Sequence, residues 1–117
     1  MAALDPVLLV GLGGTAGALA RHLVGERIES GTRDTLLVNV VGSFLLGLLT
    51  ALAAPEPAML ALGTGFCGAF TTFSTFAFET TRRLEEGQLR RAALDAGLNL
   101  VGALAAVALG AFVATLV

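Results

Sequence analysis

Four apolar runs, residues 7–23, 35–54, 57–78 and 96–117, take up most of a chain of 117 residues. They hold 17, 20, 22 and 22 residues, against about 20 for a helix that crosses a bilayer. The first is marginal and draws on Arg21 and His22 at its end. In hydrocarbon every backbone N–H and C=O must find a partner inside the protein, so runs of this length read as spanning helices. Composition agrees: 14% of the residues are charged, where a soluble domain carries roughly a quarter. The expectation is an all-α membrane protein, a single domain of four transmembrane helices over residues 1–117.

Local signals place the ends. Asp5 stands where it can cap the first helix, with Pro6 at the position where a missing N–H costs nothing. Asp34 reads as the cap of the second, and Ala54-Pro-Glu-Pro57 as a tight turn into the third. The polar connection 24–34 is short, and 79–95 extends the third helix, breaks near Gly87 and leads into the fourth. No Lys-rich leader with a small-residue cleavage site precedes the first run, so no removable signal peptide is expected. With four spans both connections share one membrane face. All seven basic residues (Arg21, 27, 33, 82, 83, 90 and 91) belong to that face, which the positive-inside tendency puts in the cytoplasm.

The third run is unlike the others. Gly63-Thr-Gly-Phe-Cys-Gly-Ala-Phe-Thr-Thr-Phe-Ser-Thr-Phe76 mixes glycines, hydroxyls and phenylalanines at membrane depth. One reading is a broken helix, because freed backbone groups at that depth are tolerated only when buried in protein or lining a wet cavity, and such breaks build ion sites. The other is a packing face where small residues let helices approach. Asn39 and Ser43 share a face of the second helix and need a partner helix or a wet path; glue between helices is the plain alternative for both and the favoured one for Asn99. Arg21 is a snorkelling anchor or a vestibule charge. Gly11-Leu-Gly-Gly-Thr-Ala-Gly17 nearly matches a dinucleotide fingerprint, but without a preceding strand it reads as close helix packing through Gly13 and Gly17. So many close-packing glycines in four short helices suggest an oligomer.

Several function classes drop out. A net charge of −2 without a basic stripe gives nothing for nucleic acid. Cys67 stands alone and reads as a small buried hydrophobe. His22 has no second ligand in view, and no Asp or Glu lies inside a run to carry protons. Enzyme chemistry is not expected. Phe73 and Phe76, three apart, share a helix face flanked by Ser74 and Thr75. Ring edges carry the positive end of the aromatic quadrupole; with hydroxyls and the Asn39 amide they could meet a small, hard anion without trapping it.

At these residues the chain resembles the small fluoride channels of the CrcB (Fluc) family. The blocks are Gly13-Gly-Thr-Ala-Gly-Ala18 with Arg21, Thr35-Leu-Leu-Val-Asn39-Val-Val-Gly-Ser-Phe44 with Gly47, and Gly65 through Phe76 with Glu79. The resemblance implies an antiparallel, dual-topology dimer with the third helix broken, in the bacterial plasma membrane. It implies passive export of fluoride through pores lined by Asn39, Ser43, Phe73, Ser74, Thr75 and Phe76, with Glu79 and Arg21 near their mouths. It further implies a structural sodium ion held by the backbone carbonyls of Gly68 and Thr71 at the break. Hydroxyls that often line the fourth helix in the family are missing between Asn99 and Thr115. The arginine asymmetry opens a choice between a homodimer and a heterodimer with an inverted homologue. Rival readings are a small dual-topology multidrug exporter, which lacks its membrane carboxylate here, and a structural membrane subunit.

Overall fold

The computed structural model describes residues 4–28 and 31–117. Among them every regular element is helical, and four stretches are long and apolar enough to span a membrane. The first helix is Pro6–Arg27, opened by Asp5, whose Oδ1 accepts from the Val7 N–H at 2.8 Å. The second is Gly31–Ala51. Because it begins before the apolar run does, Asp34 lies inside its first turn and accepts from the Thr35 N–H at 2.9 Å. The expected cap at Asp34 is therefore corrected: charged residues prolong the helix beyond the hydrocarbon, where water satisfies them.

The second helix closes in a turn in which Ala53 N–H reaches Thr50 O and Ala54 N–H reaches Leu49 O, both at 3.1 Å, with Ala53 at φ +53°. The helix ending at Glu85 closes the same way through Gly87, at φ +78°, and Gln88. This left-handed closure favours glycine, and alanine there costs on the order of 1 kcal/mol. The fourth helix, Leu89–Ala114, runs 26 residues without interruption.

The third span comes in two arms. The first comprises Glu56–Ala58, a π-wound stretch Met59–Cys67, and Gly68–Phe70. Residues 71–73 leave helical geometry, with Thr71 extended at φ −84°, ψ 164°. The second arm is Ser74–Glu85. The span is thus broken, as the resemblance implied. The break falls after Phe70, however, and Gly68 is itself helical.

Glycines set how the helices meet. A Cβ on Gly13 or Gly17 would run into the carbonyls of Ala61 and Phe66, and one on Gly65 would stand 2.7 Å from Val10 O. The first helix and the first arm therefore pack backbone to backbone. Gly47 against Val107 and Gly110 against Phe44 do the same for the second and fourth helices. In lipid, where no hydrophobic drive joins apolar helices, such close approach is what dispersion and packing can use. The enclosed apolar core is small (Val38, Leu49, Cys67, Phe70 and three alanines), and many leucines face outward.

One end of the bundle is knitted by side chains. Arg21 donates to Thr75 Oγ1 at 2.8 Å, Thr35 Oγ1 donates to Glu79 Oε1 at 2.8 Å, and Arg83 pairs with Asp95 at 2.6 Å. These contacts join all four spans at the arginine-bearing end.

Candidate functional site

The break in the third span is built around the side-chain amide of Asn39. Its Oδ1 accepts from the Thr72 N–H at 2.8 Å, and its Nδ2 donates to the Thr72 carbonyl at 3.0 Å. The amide thereby clasps both backbone groups of one residue, as a neighbouring strand would. Thr72 also acts on its own chain: its Oγ1 accepts from the Thr75 N–H at 3.1 Å, the span of a helix N-cap, and sits 3.3 Å from Ser74 Oγ. A cap of this kind satisfies one of the orphan donors at a helix start. Thr72 is 9% exposed and holds two elements together at the break.

These two bonds redirect the backbone. In an unbroken helix the Thr72 N–H would serve Gly68 O and the Thr75 N–H would serve Thr71 O, four residues back. Here the first goes to Asn39 and the second to the Thr72 hydroxyl. The Gly68 and Thr71 carbonyls both lose their helical donors as a result. Thr71 is held in turn: its Oγ1 donates to Cys67 O at 2.8 Å, and its methyl is seated against Gly42, where a Cβ would collide with it.

Beside the break runs a groove of about 480 Å³ between the second, third and fourth spans. Its surface is mostly apolar, and Asn39, Ser43, Thr64, Thr71 and Asn99 supply its polar side chains; Phe73 and Phe76 also line it. The ring centroids are 5.9 Å apart with planes inclined at 53°. Phe73 precedes the second arm's first residue and is 78% exposed, so it projects from the bundle, while Phe76 is partly covered. Gly68 faces open space, with nothing within 4 Å of where a Cβ would be.

The residues singled out from sequence are thus divided. Asn39, Ser43, Gly68, Thr71, Phe73 and Phe76 come together at the groove. Ser74 and Thr75 lie at the start of the second arm, where Arg21 crosses from the first helix to bond Thr75. Glu79 is a turn further along, bonded to Thr35, with Asp34, Arg83 and Asp95 near enough to act on its charge. Two residues matter more than the pattern suggested. Thr72 was one hydroxyl among several, although a threonine three residues before Thr75 has cap spacing. Asn99, 8% exposed, accepts from Asn39 Nδ2 at 3.1 Å through its Oδ1 and donates to Asp95 O at 3.1 Å.

Such a constellation can handle a bare ion. It presents amide dipoles, hydroxyls and phenyl rings in place of fixed charges, a kind of lining that can bind an ion and release it. A family profile described as CrcB-like protein, Camphor Resistance (CrcB), matches residues 8–111. The chain is 48% identical over 111 residues, 93% of either chain, to the fluoride-specific ion channel FluC 2 of Haloarcula marismortui. It is 46% identical over 111 residues to the fluoride-specific ion channel FluC of Methanocaldococcus jannaschii, covering 89% of this chain and 90% of the relative. With the FluC of Acidobacterium capsulatum it shares 50% identity over 113 residues, 88% of this chain and 90% of the other.

Proposed function

Because the chain belongs to the CrcB family, we propose that it is a fluoride-selective channel that lets cytoplasmic fluoride leave passively across the plasma membrane. The observation that carries this reading is the match, at 46–50% identity over nearly the whole chain, to relatives named as fluoride-specific channels. The groove at the broken span is consistent with it. Fluoride would travel past Ser43 and Asn39, meet the rims of Phe73 and Phe76, and pass Ser74 and Thr75 towards a mouth flanked by Arg21 and Glu79.

The groove is lined by residues of three spans and is not fully enclosed by this chain, and polar backbone is not left against lipid. We therefore assign a second, antiparallel copy as its cover, which would also bury the projecting Phe73. A heterodimer with an inverted homologue is the second reading, favoured by seven arginines at one end and none at the other. The donor-deprived carbonyls of Gly68 and Thr71 suit a hard cation, which takes neutral oxygen ligands. In the proposed dimer they would hold a structural sodium ion that supplies positive charge at its centre.

Liposomes carrying the purified chain test the reading. Fluoride efflux should far exceed chloride efflux, and Phe76→Ile should abolish it while the dimer persists. If Phe76→Ile dissolves the dimer, the rings are packing and the chain is a structural subunit. Equal fluoride and chloride fluxes would sink the selectivity. Flux that survives prolonged sodium depletion would remove the sodium ion.

A further inference from the structure

The groove contains a contact whose polarity can be worked out without ambiguity. A backbone N–H only donates and a backbone carbonyl only accepts. Thr72 therefore sets which end of the Asn39 amide faces it, and Asp95 O sets which end of Asn99 faces it. Both amides are locked in one orientation, and Asn99 must present its oxygen to the remaining N–H of Asn39. That N–H is the one amide proton of Asn39 outside the Thr72 clasp, and both asparagines line the groove. Of the three bonds to the Asn39 amide, at 2.8, 3.0 and 3.1 Å, the one to Asn99 is the longest, and it is single where the clasp is double.

We propose that Asn99 Oδ1 is a stand-in ligand: it occupies the Asn39 N–H while the groove is empty and is displaced by the conducted anion. This rests on the fluoride-channel reading. The physical gain is twofold. A buried amide proton with no partner is costly, so the stand-in spares the empty pore that penalty. The same competition keeps the anion from settling too deeply, since on leaving it is replaced by an oxygen kept close by the bond from Asn99 to Asp95 O. Asn99 is a positioning residue by this account, acting on the ion through Asn39. The clasp holds the rest of the break still while the exchange takes place.

Removing the competitor should tighten binding and slow exit. Fluoride efflux measured as a function of fluoride concentration should show, for Asn99→Leu, a half-saturating concentration about fivefold lower, as expected for one freed hydrogen-bond donor, together with a lower maximal rate. Asn99→Ser is the second variant, because a serine there can bond back to Asp95 O yet falls short of Asn39. It should show the same two changes with less disturbance of packing, and it serves if Asn99→Leu does not yield a folded dimer. A lower maximal rate with an unchanged half-saturating concentration in the folded variants would mean that Asn99 only packs, and would overturn the proposal. So would no change in either quantity. A wild-type chain that passes no fluoride would overturn the channel reading as well, whereas a conducting wild type with unmoved variants overturns the role of Asn99 alone.

Discussion

The first arm of the third span has two faces, and they treat the same kind of residue in opposite ways. Towards the first helix, Gly65 lies against Val10 O, and Gly13 and Gly17 press into the carbonyls of Ala61 and Phe66. Towards the groove, a Cβ on Gly68 would meet nothing within 4 Å. One face is sealed, with glycine serving as an absence of volume. The other is open, with glycine leaving a carbonyl uncovered. The contrast teaches that a glycine-rich membrane stretch need not be either a packing face or an ion site. Here the same stretch packs tightly at Gly65 and lies open at Gly68, three residues further on.

The comparison can be broken at several points. The largest effect is expected on the open side: Asn39→Asp removes both amide donors and sets a negative charge on the proposed anion route. A charge about 5 Å from the ion at an effective dielectric near 20 opposes it by about 3 kcal/mol, or on the order of a hundredfold in flux. Fluoride efflux at wild-type levels in that variant would take Asn39 out of the path. On the sealed side, Gly17→Ala should cost about 1–3 kcal/mol of stability through overpacking against a backbone that cannot move aside. Thermal unfolding in detergent measures this, and whatever folded protein remains should conduct as before. The smallest effect on the fold of the single subunit belongs to Gly68→Ala, whose methyl meets nothing of its own chain within 4 Å; the stability of the dissociated subunit should stay within about 0.5 kcal/mol. A large loss of stability in the dissociated subunit would mean that Gly68 is packed within its own chain, and the contrast with Gly17 would collapse.

Much of the fold could be read along the chain. Runs of about twenty apolar residues have one solution in a bilayer, and the helices lie over them, with Asp5 capping and Gly87 turning as their types suggest. The helix ends were less legible at the charged face. Hydropathy marks where lipid stops, and the helices continue beyond it to Arg27 and Glu85. Within the site, the composition of the third run left a broken helix and a packing face both open, and the break lies at residues 71–73. Gly68 is a poor helix former by propensity, yet it stays helical because nothing there offers its backbone an alternative. Thr72 is offered one by Asn39, 33 residues earlier in the chain, and the helix breaks there instead.

What the sequence determined alone was the medium and the inventory: a chain too apolar for water, four crossings, and ring, hydroxyl and amide groups in place of charges at membrane depth. Hydrophobic transfer and backbone satisfaction act residue by residue, so they are visible in one dimension. What only the tertiary structure decided was which glycine seals and which exposes, where the helix lets go, and which amide proton is held by Asn99. Those outcomes depend on donors and acceptors brought together from the second, third and fourth spans. A hydrogen bond between residues 39 and 99 leaves no trace in the spacing of either.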